Sequence, residues 1–201
     1  MAWHDNNVVT RICVFCGSSV GNRPAYRKAA VDLAEALVRR GLGLVYGGAR
    51  VGLMGVLADT MLQHRGEVIG VIPQALLDRE IAHAGLADLR VVGSMHERKA
   101  LMVELADGFI ALPGGYGTLE EFSEVVTWAQ LGLHRKPCGL LDVDGYFDPL
   151  LALFDGAVAA GFLRPENRAL VLKANDPETL LDLLASYKPV SVPKWITPAE
   201  A

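Results

Sequence analysis

Gly108-Phe109-Ile110-Ala111-Leu112-Pro113-Gly114-Gly115-Tyr116-Gly117-Thr118-Leu119-Glu120-Glu121 passes from an apolar strand through a glycine-rich bend into a helix. The first five residues are continuously apolar, as a strand covered by helices on both faces must be. The N-terminus of a helix attracts anions, and glycine N–H groups can turn together into an anion-binding nest. The bend therefore predicts a phosphate site, with two carboxylates in the first helical turn beside it.

The same alternation of short apolar runs and helical patterns extends outward in both directions. Strands are expected at 8–16, 42–46, 67–72, 89–92, 108–112, 138–143 and 169–172. Helices are expected at 24–40, with Pro24 at its start, at 52–64, 96–106 and 119–133, and near 147–160 and 177–187. This predicts an α/β chain with a Rossmann-like, doubly wound parallel sheet, helices on both faces and a single domain over 1–188. The tail 189–201 contains Pro189 and Pro193 and is expected to lie over the surface, anchored by Trp195 and Ile196.

Composition narrows the function. The 201 residues carry 19 basic and 23 acidic side chains, a net charge of −4, with 51% hydrophobic and 21% charged residues. A nucleic-acid partner would need a basic run, and none is present. No apolar stretch is long enough to cross a bilayer. The polar N-terminus lacks the layout of a signal peptide, so a cytoplasmic protein is expected. Cys13 and Cys16 form a Cys-x-x-Cys inside a strand, where positions three apart face opposite ways, so buried reduced thiols are expected. The five histidines show no ligand spacing, so no metal is expected.

Three strand ends carry small residues: Gly17-Ser18-Ser19, Gly47-Gly48-Ala49-Arg50 and Gly114-Gly115-Tyr116-Gly117-Thr118. In a parallel sheet these ends share one edge, where ligands bind at the reversal of strand order. The three segments are expected to form one cleft. A dinucleotide fits it poorly: Gly115-Tyr116-Gly117-Thr118-Leu119-Glu120 ends in glutamate where Gly-x-Gly-x-x-Gly needs glycine, and no P-loop sequence occurs. A mononucleotide-sized ligand is expected.

Thr118 and Glu121 have capping-box spacing, so Glu121 has a structural reading in which it reaches back to a backbone N–H. Glu120 is one helical step away and is free to face another partner. Two acids beside a phosphate site call for a cation. Ser94-Met95-His96-Glu97-Arg98-Lys99 supplies two, with Ser94 and Glu97 again spaced as a capping box. The helix dipole disfavours cations in a first turn, so Arg98 and Lys99 point to an anion.

Pro-Gly-Gly-Tyr-Gly-Thr-Leu-Glu-Glu at 113–121 and Met-His-Glu-Arg-Lys at 95–99 resemble the LONELY GUY cytokinin-activating phosphoribohydrolases, once mislabelled lysine decarboxylases. The likeness runs from about Ile12 to Pro189 and includes Tyr46-Gly47-Gly48 and the stretch 127–132. It implies hydrolysis of the N-glycosidic bond of a nucleoside 5′-monophosphate, giving free base and ribose 5-phosphate, without a cofactor. It implies catalytic roles for Arg98 and Glu121 and substrate binding by Glu80, Lys99 and the segment 115–118. It also implies homodimers with sites near the subunit boundary. The many apolar residues of the helix from Leu119, such as Phe122, Val125, Trp128 and Leu131, agree with this. On this reading Ser18 or Ser19 joins Gly114–Thr118 at the phosphate, and Met95, Met102 or Trp128 is a candidate for the base pocket. A non-catalytic nucleotide-binding or cofactor-carrying module on the same fold is the alternative.

Overall fold

A computed structural model describes residues 9–78 and 82–189. Among them, seven strands form one sheet: β1 (Arg11–Phe15), β2 (Gly43–Tyr46), β3 (Val68–Pro73), β4 (Asp88–Val92), β5 (Gly108–Ala111), β6 (Cys138–Leu141) and β7 (Val171–Ala174). Their order is β4-β3-β2-β1-β5-β6-β7, and every neighbouring pair is parallel. The chain winds one way from β1 to β4 and the other way from β5 to β7. The order therefore reverses between β1 and β5, where a crevice opens at the strand C-termini.

Side chains leave a strand on alternate faces, and this builds two cores. Ile12, Val14, Leu44, Tyr46 and Ile110 pack beneath α1 (Pro24–Arg39), α2 (Gly52–Gln63) and α8 (Pro177–Ala185). Cys13, Phe15, Val45, Phe109 and Ala111 pack beneath α4 (Met95–Leu105), α5 (Tyr116–Leu131) and α6 (Asp148–Ala159). Cys13 and Cys16 fall in opposite cores as free, buried thiols. Burial of Leu33 and Leu37 on α1 is complete, and truncating either to alanine costs about 2–5 kcal/mol.

The doubly wound parallel sheet is as expected, with three local differences. Short helices α3 (Gln74–Leu77) and α7 (Pro165–Arg168) occupy stretches expected to be loop. The α7 turn carries Ala169 and Leu170 with it, their N–H groups bonding Pro165 and Asn167 carbonyls. The last strand consequently starts at Val171 rather than 169. Third, α5 starts at Tyr116, three residues ahead of the expected 119. The expected start of the first strand at Val8, the acid Glu80, and Trp195 and Ile196 of the tail lie outside the described residues. Among the described residues, no helix is long and apolar enough to cross a membrane.

Candidate active site

The glycine-bearing loops meet over the C-terminal ends of β1, β2 and β5. Gly17 N–H donates to the Pro113 carbonyl at 3.1 Å, and Leu53 N–H donates to the Gly17 carbonyl at 3.0 Å. A Cβ at Gly114 would lie 2.1 Å from Thr118 Oγ1 and 2.9 Å from Gly17 N, so only glycine allows this approach. The loops after β1 and β5, with Leu53 of α2, bound a cavity of about 260 Å³ lined by Gly17, Ser18, Ser19, Gly21, Tyr26, Leu53, Gly114, Gly115 and Tyr146. Gly47 and Gly48 of the expected three-loop cleft lie outside that lining. Tyr26 and Tyr146 meet edge to face at 5.8 Å, and the Tyr146 hydroxyl donates to the Gly114 carbonyl. Neither tyrosine was marked by a motif. The available clue was position, since Tyr26 follows β1 and Tyr146 follows β6 at the same sheet edge.

The early start of α5 removes the capping reading of Thr118 and Glu121. Gly115 precedes the helix in an extended conformation and provides no side-chain cap. Both residues are therefore inside the helix, and their side chains do not serve its terminus. The N–H groups of the first turn are left for another partner. Open space surrounds this end: Tyr116 is 95% exposed, and a Cβ at Gly115 or Gly117 would meet nothing within 4 Å. Thr118 is buried.

Glu121 instead meets Arg98. Ser94 caps α4 as expected, its Oγ accepting from Glu97 N–H at 3.1 Å, while Glu97 Oε2 accepts from Gly93 N–H at 2.8 Å. That cap fixes the first turn and turns Arg98 inward. Arg98 Nη1 donates to Glu121 Oε1 at 2.6 Å, and Nε donates to the Val71 carbonyl at 3.1 Å. The other guanidinium nitrogen presses on Gly47, where a Cβ would lie 2.1 Å from Nη2. Gly47 is thus small because the arginine occupies the adjoining space.

Burial raises the pKa of Glu121, Arg98 opposes this by charge and hydrogen bond, Glu120 adds to the rise and Lys99 counters it. Burial prevails, so the carboxyl stays above the ordinary 4.5. The thiols of Cys13 and Cys16 are pushed up chiefly by burial and further by the nearby Glu121 charge.

Lys99 points to the same helix. Its Nζ donates to Glu120 Oε1 at 2.5 Å and Glu124 Oε1 at 3.0 Å. Burial works against the ammonium, but the hydrogen bonds and charges of the two glutamates outweigh it and hold the pKa above the usual lysine value. The expected site residues thus divide into groups. Ser18, Ser19, Gly114 and Gly115 share the cavity, with Tyr116 and Gly117 at its open end. Arg98 and Glu121 pair beside Gly47 without lining that cavity. Lys99 and Glu120 hold each other. Gly48 packs against Ile72 and Leu89. Apolar side chains rim this edge of the sheet, with Val20, Val51 and Met95 all substantially exposed.

Residues 54–184 match the family model described as "Possible lysine decarboxylase". The chain is 53% identical to the Oryza sativa subsp. japonica protein named "Probable cytokinin riboside 5'-monophosphate phosphoribohydrolase LOGL1", over 88% of this chain and 79% of that protein. It is 51% identical to the Arabidopsis thaliana "Cytokinin riboside 5'-monophosphate phosphoribohydrolase LOG7", over 89% of this chain and 82% of that one. Among solved structures, a molybdenum cofactor binding protein from Rippkaea orientalis superposes with TM-score 0.66 at 24% identity, covering 90% of this chain and 98% of that one. The molybdenum cofactor carrier protein of Chlamydomonas reinhardtii gives TM-score 0.66 at 19% identity, over 90% of this chain and all of the other. These two likenesses establish the shared fold and nothing further.

Proposed function

Because this chain belongs to the LONELY GUY family of cytokinin riboside 5′-monophosphate phosphoribohydrolases, we propose that it hydrolyses the N-glycosidic bond of an adenosine 5′-monophosphate bearing an apolar substituent on the base. The products are the free base and ribose 5-phosphate. The observation that carries this reading is the buried Arg98–Glu121 pair next to a glycine-lined edge. Taking two charges out of water is expensive, and a structural role alone would be served as well by packed apolar residues.

The phosphate lies at the open N-terminus of α5, against the N–H groups of Gly115, Tyr116 and Gly117 and the hydroxyls of Ser18 and Ser19. Thr118 and Gly114 shape the bend, while Gly47 leaves room for the Arg98 guanidinium and Gly48 packs against Ile72 and Leu89. As the C1′–N bond breaks, its electron pair leaves with the base and positive charge grows on the ribose. Glu121 faces that charge and takes a proton from the water that attacks C1′. The departing base nitrogen takes a proton from solvent, and Glu121 returns its own to solvent. A carboxylate there stabilises the transition state more than the neutral ground state. Arg98 orients Glu121 and counters the burial that would otherwise protonate it. Glu120 is more than half exposed, so an arriving phosphate competes with it for Lys99. The apolar rim of Val20, Val51 and Met95 favours a hydrophobic substituent on the base.

Lys99 makes a poor Schiff-base lysine, since two carboxylates keep it protonated, and amino-acid decarboxylation is disfavoured on that ground. Trp128 and Leu131 on α5 remain only partly buried in the protomer, which supports a homodimer built on this helix and is checked by light scattering. Buried free thiols agree with a reducing compartment, the cytoplasm.

Product analysis over AMP, N6-prenylated AMP and the matching nucleosides tests the proposal. Base release from nucleotides alone, fastest with the prenylated base, is the expected result. Tight nucleotide binding without turnover would replace it with the carrier reading.

A further inference from the structure

We propose that His83 is a positioning residue: it joins Asp59 to the Gly48 carbonyl and so fixes the Gly47-Gly48 turn on which the Arg98 guanidinium rests. The inference deepens the hydrolase reading and rests on it for the consequence in catalysis.

His83 Nε2 lies 2.9 Å from Asp59 Oδ1 on α2, and Nδ1 accepts a hydrogen bond from Gly85 N–H at 3.1 Å. The acceptor role of Nδ1 places the ring proton on Nε2, which donates to Asp59. With both ring nitrogens engaged, the imidazole has no site left for proton transfer to a ligand. It acts as a fastener. The His83 main-chain N–H donates to the Gly48 carbonyl at 2.9 Å, and Ala49 and Ala82 form an antiparallel bridge beside it.

The turn held in this way has no slack. Gly48 has φ +72°, and a Cβ there would lie 3.1 Å from Ile72 Cβ, 3.2 Å from Leu89 Cδ1 and 3.3 Å from Val71 N. Val71 also supplies the carbonyl that accepts from Arg98 Nε. The turn therefore lies close to the same strand residue that accepts from the guanidinium, and Gly47 closes directly on Nη2. If the turn moves, the arginine loses one wall of its seat and its aim at Glu121 changes.

The fastening contributes little to the fold as a whole, because the Asp59 side chain is 62% exposed. Its effect is local. The charged and titratable groups that act on Glu121 are Arg98 and Lys99 from α4, Glu120 from its own helix, and Cys13 and Cys16 from β1 and its end. The hydrogen bonds of His83 run to Asp59, Gly85 and Gly48, so its route to Glu121 is through the turn and the placement of Arg98.

The test is the titration of the Glu121 carboxyl by ¹³C NMR in the ligand-free protein, for the wild type, His83→Ala, Asp59→Ala and His83→Gln. Both alanine variants are expected to titrate at higher pH than the wild type, because Arg98 counters burial less well. His83→Gln keeps an N–H donor at similar reach and is expected to return the titration to the wild-type position. Turnover of prenylated AMP should fall between about tenfold and about a hundredfold in the alanine variants, as expected for a small misplacement of a reacting group, with KM changing much less. Asp59→Ala alters an exposed carboxylate and decides the matter if His83→Ala does not fold. An unchanged Glu121 titration in the folded alanine variants overturns the proposal. The NMR readout needs no turnover, so failure of the hydrolase reading is seen separately, as a wild-type protein that releases no base.

Discussion

Arg98 reaches Glu121 at 2.6 Å with only 9% and 12% of the two side chains exposed, and this contact ties α4 to α5 across the end of the sheet. Removing one partner of such a pair strands the other charge away from water. Arg98→Ala is expected to destabilise the protein by about 3–5 kcal/mol and to abolish base release. Urea unfolding measures the first effect and product analysis the second. Arg98→Lys should also fail in turnover, since a single ammonium cannot serve Val71 and Glu121 from the two ends of a planar fork.

Glu121 sets a pH dependence of definite sign. Its folded pKa is raised above 4.5, mainly by burial. An acid raised on folding stabilises the protein fully below its unfolded pKa, and that contribution is lost as pH climbs through the folded value. Glu121→Gln should therefore flatten the fall in stability just above pH 4.5, read by urea unfolding between about pH 4 and about pH 8. Turnover requires the ionised form, so the acid limb of kcat should lie above pH 4.5. The Gln variant should still bind nucleotide, and equal loss of binding and turnover would count against a role in chemistry.

Two glycines should respond oppositely to alanine. At Gly47 the new methyl would lie 2.1 Å from Arg98 Nη2 and must displace the guanidinium, so Gly47→Ala is expected to lose turnover. At Gly117, in the first turn of α5, the methyl meets nothing. Gly117→Ala should leave stability unchanged or raise it by up to about 1 kcal/mol. Its nucleotide affinity should nevertheless drop if phosphate rests on that turn, and calorimetry with AMP provides the check.

Lys99 and Glu120 offer a graded test of how the phosphate enters. Glu120→Gln loosens the hold on Lys99 and should lower KM, whereas Lys99→Met should raise it. Each change is expected to be no more than about fivefold, as suits an ion pair whose carboxylate is more than half exposed. Steady-state kinetics on the two variants decide it, and identical KM values would remove Lys99 from the binding step.

Much of this arrangement could be read from the chain because its signals are local. The run from Gly108 to Leu112 is apolar at every position, and the glycines after it can only be a bend. The Ser94–Glu97 cap formed as its spacing implied. The apparent cap at Thr118 and Glu121 did not form, because the backbone of Gly115 opens the helix earlier and Thr118 is drawn in against Gly114. Spacing cannot register that close approach. Lys99 found two carboxylates instead of an open crevice, a choice made by the packing of α4 on α5. Asp59 and His83 lie 24 residues apart on different elements, and nothing in the local sequence marks them as partners.

Consecutive residues of α4 grip consecutive residues of α5 in reverse order, Arg98 with Glu121 and Lys99 with Glu120. The two helices are therefore phased like meshed gears. Losing or gaining one residue in the opening turn of α5 would rotate every later side chain by about 100° and uncouple both pairs at once. Length changes belong in the connecting loops, and the first turn itself can vary only by substitution.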